Sequence, residues 1–341
     1  MSDEDDHWFL PGPPEDVAPT DPPWEMADQK PVFNPKEWLR AEALLGRGLA
    51  RAAAAFARLD ARISAGYRSA GFAKRLALEE TSALLWAQGD WVSIEKIALY
   101  GLLRESSLVD ARVLSLADWA LRRLLGSGMP DDLAAFLGRY RAEFDGLEHL
   151  GRHPVGIEFD GLADDWQAAR RALKEAHPIT QAAALFTAWR AFGLSEPGAV
   201  VEAGVAAMKI GAKEGRALRF LPVASGGHSH RASIGQGGSI QDRLERWYLA
   251  VENACLQAEM QLEQLNTWAQ RAGQATARYS GKTPALLIEA LQTVPALSAS
   301  MVASACGCDK ATARRNLNGF AELGLIREIT GQGRYKVWVA S

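Results

Sequence analysis

The sequence predicts a mainly α-helical protein, in which a multi-helix array precedes a C-terminal winged helix-turn-helix with a small β-hairpin. Across residues 36–280 apolar residues recur three and four apart, and strand-like alternation is nearly absent. After residue 280, three short helical patterns are followed by two β-runs around a Gly-containing loop. We therefore divide the chain into an N-terminal arm (1–35), an all-α body (36–280) and a DNA-binding domain (281–341).

Composition separates the N-terminal arm from the rest. Residues 1–35 hold eight of the fifteen prolines, and residues 1–28 contain nine Asp or Glu but no Lys or Arg. Such a segment buries too little apolar surface to offset its ordering entropy, so we expect it to be largely extended. Two roles stay open for it: packing on the body or on a partner, or competing with DNA for a basic face.

Other totals exclude several classes of protein. The chain carries a net charge of −3 and has no apolar run long enough to span a bilayer. The opening "MSDEDDHW" is acidic and lacks the apolar core of a secretory signal. Three cysteines make no disulfide framework, and Cys306 and Cys308 lack the spacing of a metal or redox motif. We expect a cytoplasmic protein with no membrane segment, no cofactor and no metal.

The body reads as a series of amphipathic helices. The first is one long Ala/Leu/Arg-rich helix that starts near Trp38 and runs to about residue 63. Later helices are predicted at about 73–88, 93–104, 115–125, 130–145, 162–176, 180–192, 197–213 and 239–272. A Gly-rich loop at 222–239, which contains His228 and His230, matches no phosphate-binding or metal-binding spacing and is predicted to connect two helices.

Cap residues and breakers mark the helices of the C-terminal domain. Thr283 with Pro284 is predicted to start the first of them, and Pro295 to end it. Ser298 caps the second, which Gly307 breaks, so a short turn leads to the third. Two short helices joined by a Gly-containing turn are typical of the helix-turn-helix.

The third helix has two faces. It is predicted to begin at Asp309 and to end at Gly324, with Ala313, Leu317 and Phe320 packed inward. The residues predicted to contact DNA are Lys310, Ala311, Arg314, Arg315 and Asn318 on the opposite face, and Arg334 and Lys336 on the hairpin. The arginine pair would enter the major groove, and the hairpin would reach neighbouring phosphates or a minor groove. The alternative is a solvated helix face on a protein-binding module.

Two resemblances support the domain division. The tail, with "LNGFAELGLI" and "REITGQGRYKVW", resembles the winged helix that ends many proteins of the Fic (filamentation-type) family. The chain also resembles, over most of its length, an uncharacterised, often plasmid-encoded bacterial family of helical proteins with a C-terminal helix-turn-helix. That resemblance includes "EETSALLWAQGDWVSIEKIAL" at residues 79–99. It is the closer of the two, and it implies DNA binding.

The Fic resemblance extends into the body without the catalytic loop. Gln88-Gly89 stands where the family has an inhibitory Glu-Gly, and "VVEAGVAAMKIGAKEGRALRFLPVAS" is similar to the helix and loop after the catalytic motif. Fic nucleotidyl transfer needs a His-Pro-Phe-x-x-Gly-Asn-Gly-Arg loop. Neither His153-Pro154 nor His177-Pro178 is followed by that anion-binding loop and its arginine, so we expect no such catalysis.

Other catalytic patterns are missing as well. The sequence has no Gly-x-Ser-x-Gly, no His-Glu-x-x-His and no phosphate loop. Its paired acids, Glu79-Glu80, Asp131-Asp132 and Asp164-Asp165, are predicted to lie at helix starts or on solvent faces. We expect no catalytic residues in this chain.

These observations predict a DNA-binding transcriptional regulator built on a non-catalytic Fic-like scaffold. We also predict a homodimer, because a net charge of only +3 in residues 281–341 allows few phosphate contacts per copy. The long helix at 239–272 carries Leu249, Leu256, Met260 and Leu265, which are enough for an intramolecular core and for a partner helix besides. The runner-up is a toxin–antitoxin-type accessory protein whose winged helix binds a protein partner, and an enzyme with an unrecognised site comes third.

Overall fold

The structure is a computed structural model that describes residues 33–65, 69–103, 111–138, 154, 156–227, 237–330 and 336–341. The predicted extended arm therefore lies almost wholly outside the described residues. The secondary-structure elements are α1 (Pro35–Leu44), α2 (Gly46–Ala65), α3 (Ser69–Gln88), α4 (Ile94–Leu103), α5 (Ala111–Leu125), α6 (Leu133–Leu137), α7 (Gly156–Ala172), α8 (Pro178–Phe192), α9 (Val201–Gly211), α10 (Ile240–Ala275), α11 (Thr283–Thr293), β1 (Leu297–Ser298), α12 (Ala299–Cys306), α13 (Lys310–Glu322), β2 (Ile326–Glu328) and β3 (Val337–Ala340).

The predicted mainly helical fold with a small C-terminal sheet is confirmed. Several predicted helix bounds shift by four to six residues; the helix predicted over 162–176, for example, is α7 at Gly156–Ala172. Two further predicted helices differ more deeply from those observed. The long first helix is two helices, because the chain turns at Leu45 between α1 and α2. The helix predicted over 130–145 ends at Leu137, where Gly138 takes the left-handed conformation at φ 77° and closes it. Within the described ranges, no helix combines the length and apolarity that a membrane crossing needs.

The core of the body forms around the hairpin of α8 and α9, whose residues are almost all buried. Two tryptophans pack edge to face beside this hairpin, with the rings of Trp166 and Trp189 5.6 Å apart. Their indole N–H groups are satisfied: Trp166 Nε1 donates to the Leu185 carbonyl at 3.0 Å, and Trp189 Nε1 to Ser195 Oγ at 2.9 Å. Large aromatic side chains thus fill the core without leaving a buried donor unpaired at either position.

The long helix α10 runs parallel to α2 along one side of the body. Three ion pairs join them at a constant sequence offset of 201: Arg51–Glu252 at 3.1 Å, Arg58–Glu259 at 3.6 Å and Arg62–Glu263 at 2.9 Å. The arginines are 44–62% exposed, so each pair contributes well under about 1 kcal/mol. The apolar faces beneath them, rather than these pairs, hold the two helices together.

The prediction that Glu79 and Glu80 lie at a helix start or on a solvent face is wrong. Both lie in the middle of α3, and Glu80 is only 1% exposed. Its carboxylate accepts the backbone N–H of Val223 at 3.0 Å and of Ala224 at 2.6 Å, and the Ser225 hydroxyl at 2.5 Å. Burial raises the pKa of Glu80, and these hydrogen bonds oppose the rise.

A second buried acid anchors the same connection between α9 and α10. The Asp60 carboxylate accepts the backbone N–H groups of Arg216, Ala217 and Leu218 at 2.7–2.9 Å. Two body helices therefore fix the first part of the chain that joins α9 to α10. Within the predicted loop 222–239, residues 228–236, and with them His228 and His230, lie outside the described residues.

The C-terminal residues build a second core. Buried side chains of α11, α12, α13 and the sheet pack against Trp268 and Ala272, which belong to the end of α10. The antiparallel sheet has the order β1-β3-β2, with Leu297 opposite Trp338 and Ile326 opposite Ala340. Because α10 contributes to both cores, body and C-terminal residues form one unit, Phe33–Ser341. The domain boundary at 281 remains a prediction.

Candidate nucleic-acid interface

The helix α13 is fixed in place by the turn that precedes it. Gly307 adopts φ 59°, a left-handed conformation that ends α12, as predicted. Asp309 then caps α13, accepting the Thr312 backbone N–H and the Thr312 hydroxyl, both at 2.8 Å. These hydrogen bonds hold the pKa of Asp309 below its usual value. The two short helices are thereby joined by a three-residue turn, as in a helix-turn-helix.

Of the two caps predicted before α13, the cap of α12 is as predicted and the cap of α11 is not. Ser298 caps α12 as predicted, accepting the Met301 N–H at 3.3 Å. Thr283, however, is the first helical residue and not the cap: Lys282 stands at that position and makes no capping hydrogen bond. A lysine side chain carries donors only and cannot accept from the free N–H groups of the first turn. The helix itself ends before Pro295, as predicted.

The inward face of α13 is as predicted. Ala313, Leu317 and Phe320 are all 0% exposed and belong to the second core. Five positions on the other side are exposed: Lys310, Ala311, Arg314, Arg315 and Asn318. At about 100° per residue these five positions fill an arc of about 140°. The structure thus brings all the helix residues predicted to contact DNA onto one solvent-facing surface, which we call the α13 basic face.

The hairpin residues are only partly described. Lys336 is exposed directly before β3, whereas Arg334 belongs to residues 331–335, which lie outside the described residues. Arg327 is a further basic residue, not among those predicted to contact DNA, and it is exposed on β2 between the buried Ile326 and the half-buried Glu328. The alternation along β2 could have identified it, because every second residue of an edge strand faces solvent.

The positive charges of this surface have no carboxylate partner among the described residues. Across the described ranges, none of Lys310, Arg314, Arg315 and Lys336 takes part in an ion pair. A guanidinium without an internal carboxylate partner keeps its donors for an external acceptor. The α13 basic face therefore has the chemistry needed for phosphate oxygens or guanine edges.

The body holds the back of this domain at three points. Arg75 of α3 donates to the carbonyls of Leu291, Gln292 and Val294 at the end of α11. Trp268 Nε1 of α10 donates to the Leu325 carbonyl at 2.8 Å. These contacts fix α11 and the residue before β2, so the α13 basic face has a defined orientation on the body.

A third contact also involves backbone. Gly71 of α3 lies so close to α11 that a Cβ there would stand 2.9 Å from the Thr293 Cα. Only a glycine permits that approach without a shift of one helix. The seam between body and C-terminal domain is therefore packed backbone against backbone.

The residues of the Fic resemblance take structural positions. His177 caps α8, because its Nδ1 accepts the Ile179 N–H at 3.2 Å. The backbone N–H of His177 donates to the Glu42 carboxylate at 3.0 Å. Gln88 accepts the Val200 N–H at 3.3 Å, at the start of α9. His153 lies outside the described residues. The expected lack of catalysis stays a prediction.

Comparison with known proteins identifies the C-terminal residues. Residues 284–339 match the family model of a helix-turn-helix DNA-binding domain. A search of curated proteins found no match. The match covers α11 to β3, including the α13 basic face, so the predicted helix-turn-helix is confirmed and the chain contains a C-terminal DNA-binding domain.

Proposed function

We propose that this protein is a transcriptional regulator that reads duplex DNA with α13 in a winged helix-turn-helix arrangement. The observation that carries the proposal is the α13 basic face, which is exposed and has no ion-pair partner among the described residues. It lies on the helix that follows the turn of the matched domain. The element order α11-β1-α12-α13-β2-β3 supports the winged form, because β1 joins β2 and β3 in a sheet of order β1-β3-β2. In this form the β2–β3 connection is the wing.

Each residue type on the α13 basic face suits a distinct part of duplex DNA. A helix fits the major groove, where an arginine donates two parallel hydrogen bonds to O6 and N7 of guanine. We assign Arg314 or Arg315 to that contact and the other to a phosphate. Lys310 at the first turn and Lys336 beside the wing would take further phosphates. Asn318, one turn after Arg314, has the amide that pairs with adenine.

The modest charge of the domain favours binding by two copies. Few phosphate contacts per copy give weak non-specific binding at physiological salt, and two-fold symmetry doubles the contacts on a palindromic site. Along α10, Leu249, Leu256 and Met260 are 49%, 39% and 62% exposed. They lie within about 40° of one another around the helix, so they form one apolar stripe. We propose this stripe as the dimer surface of the regulator.

The dimer has a direct test. Light scattering at micromolar concentration should give twice the mass of one chain, and Met260→Lys should halve it, because an ammonium would be buried between the copies. A matched control is Gln257→Lys, an exposed position one residue past Leu256. A parent that stays monomeric with and without DNA would remove the dimer from the proposal.

The rest of the body is proposed to serve as a non-catalytic Fic-like scaffold. This proposal is supported by the structural roles of two residues that were compared with Fic motifs. His177 caps α8, and Gln88 accepts a hydrogen bond at the start of α9. Purified protein given labelled ATP should transfer no label to itself or to lysate proteins. Label transfer that His177→Ala or His153→Ala abolishes would contradict this part of the proposal.

The regulatory function is tested by genome-wide capture of tagged protein on chromatin. The parent should give discrete peaks that share a sequence motif, and the double variant Arg314→Ala/Arg315→Ala should lose them. Arg171→Ala, which removes an exposed arginine from α7 in the body, is the control and should keep the peaks. If the parent yields no peaks but its C-terminal domain recovers a protein that depends on the same arginines, the protein-binding alternative replaces DNA binding.

A further inference from the structure

A cavity of about 530 Å³ lies at the seam between the body and the C-terminal domain. Its walls are α3, the second half of α10 and the end of β3. This volume is in the range of sites for small molecules, and such sites occur preferentially where two parts of a protein meet. The proposed contacts with DNA do not involve this cavity.

The floor of the cavity is apolar. Phe72 of α3 and Leu265 and Trp268 of α10 line it, and Phe72 and Trp268 are only 4% and 6% exposed. The cavity is thus lined by an aromatic ring from each of two helices, which favours a flat or aromatic ligand group, since ring pairs stabilise each other beyond the area they bury. The floor therefore selects a ligand with an apolar, preferably aromatic, part.

The walls carry both signs of charge. Arg75 and Arg271 line the cavity together with the carboxylates of Glu79 and Glu263. Arg75 uses its Nε and one terminal nitrogen on the α11 carbonyls, and Arg271 uses one terminal nitrogen on the Ser341 carbonyl. A guanidinium has five N–H donors, so each arginine retains donors for an anion. Glu79 receives a hydrogen bond from Gln261, and its other lone pairs can take a cation.

We infer that this cavity binds a small zwitterion with an aromatic side group, of the aromatic amino-acid class. The ligand ammonium pairs with Glu79, its carboxylate takes the remaining donors of Arg75 or Arg271, and its ring lies on Phe72 and Trp268. A ligand of one charge only would leave a partly buried group of the same sign facing it, which is unfavourable. The mixture of charges in one small cavity is what points to a zwitterion.

The position of the cavity gives the ligand a role in regulation, and this part of the inference rests on the proposed function. Arg75 and Trp268 line the cavity and also hold the C-terminal domain, through the α11 carbonyls and the Leu325 carbonyl. A ligand carboxylate that draws on Arg75 changes the hydrogen bonds that orient α11. Binding of the ligand and binding of DNA are then coupled, because the same side chains contact the ligand and hold the C-terminal domain.

The protonation of Glu79 provides a second readout. Burial raises the pKa of Glu79 to about 7. The charged groups around it are Arg75 and Glu80 on its own helix and Glu263 and Arg271 on α10. An ammonium ligand prefers the ionised carboxylate, which is about a tenth of the population at pH 6 and about nine-tenths at pH 8. The affinity should therefore rise about ten-fold between these pH values.

The test is calorimetry on the full chain without DNA, with three probes that share one ring. L-Phenylalanine should bind, whereas 2-phenylethylamine, which lacks the carboxylate, and 3-phenylpropionate, which lacks the ammonium, should bind at least about ten-fold more weakly. No binding of L-phenylalanine up to about 10 mM, or equal affinity for all three probes, would overturn the inference.

Variants identify the site. Glu79→Gln keeps the shape of the side chain and removes its charge. It should weaken the binding of L-phenylalanine at least about ten-fold at pH 8 and abolish the pH dependence of that binding. The control is Glu245→Gln, an exposed position on α10 about 24 Å along that helix from Gln261 of the cavity, which should behave like the parent. Binding of the Glu79→Gln chain with the affinity and pH dependence of the parent would place the ligand elsewhere and overturn the site.

DNA affinity with and without L-phenylalanine tests the coupling. A change of about three-fold or more that Glu79→Gln removes supports the regulatory role, and an unchanged DNA affinity overturns it. A parent chain that binds no DNA would contradict the proposed function alone, because the calorimetric result needs no DNA.

Discussion

The replacement Arg75→Ala tests whether the body holds the C-terminal domain in place. Arg75 is the side chain that joins α3 to the end of α11, more than 200 positions later in the sequence. Burial lowers its pKa to about 10, so it still carries a charge at neutral pH, and it stands at the negative end of the α11 dipole. Removing it leaves the carbonyls of Leu291, Gln292 and Val294 without this partner.

The expected cost follows from those three contacts. The contacts to Leu291 and Gln292 are well made, whereas the contact to Val294 at 3.4 Å is weak. A hydrogen bond to a charged donor contributes about 1.5 kcal/mol or more, which gives about 3 kcal/mol for the two. Relief of the buried charge offsets part of this, and lost packing adds to it. We expect a destabilisation of about 2–4 kcal/mol.

Urea unfolding gives the free energy, and hydrogen exchange shows where the loss occurs. Relative to the parent, Arg75→Ala should speed hydrogen exchange of the α11 amides more than that of the amides in the α8–α9 hairpin, which lies in the other core. Arg75→Lys should recover part of the loss, since it keeps the charge but not the planar fork. The control Arg62→Ala breaks an exposed pair with Glu263 and should change stability by less than about 1 kcal/mol. An Arg75→Ala protein that unfolds like the parent, with unaltered α11 exchange, would refute this account of the seam.

Three further predictions concern stability. Leu317→Ala opens the second core and should lower the free energy of unfolding in urea by about 2–5 kcal/mol. The control Arg315→Ala should leave the urea midpoint unchanged. Equal midpoints for both variants would mean that α13 is not packed as described. Gly71→Ala places a Cβ 2.7 Å from Thr293 Oγ1 and should cost about 1–3 kcal/mol, while Gly273→Ala, with open space around it, should not destabilise. Glu79→Gln should stabilise the protein at pH 8 by up to about 3 kcal/mol and leave it unchanged at pH 4; melts with the same difference at both pH values would contradict the buried carboxyl.

The sign of the last effect follows from linkage. Burial raises the pKa of Glu79 from its ordinary value of 4.5 to about 7 in the folded protein. Below pH 4.5 the carboxyl is protonated in both the folded and the unfolded state and costs nothing. Between pH 4.5 and 7 the unfolded chain releases its proton while the folded chain retains it, so stability falls as pH rises. Above pH 7 the loss is complete and constant.

Local signals predicted the helices and the C-terminal domain well. The caps Ser298 and Asp309 and the breaker Gly307 act within four residues of themselves, so the sequence is sufficient to recognise them. The inward side chains of α13 follow from helical periodicity in the same way, and all three are fully buried. The family match to residues 284–339 agrees with that interpretation.

The features that the sequence did not reveal depend on distant partners. Glu80 is buried because its carboxylate accepts N–H groups more than 140 positions away, and Arg75 because its acceptors lie more than 215 positions away. Periodicity within one helix carries no information about either. The strand β1 has only two residues, too few to show alternation, and forms by pairing with β3 near the end of the chain.

Contact of the α13 basic face with DNA is the central claim, and the most direct measurement is DNA affinity as a function of salt. The operator is recovered by selection in vitro and compared with a scrambled duplex, for the parent and for Arg314→Ala, Arg315→Ala, Lys336→Ala and the control Arg171→Ala. We expect one of the two arginine variants to lose about 1–3 kcal/mol on the operator alone, as a base contact does. The other arginine variant and Lys336→Ala should weaken both duplexes alike and lower the salt slope by about one, while Arg171→Ala matches the parent. Arginine and lysine variants that bind both duplexes with the affinity and salt slope of the parent would contradict the claim that α13 reads DNA.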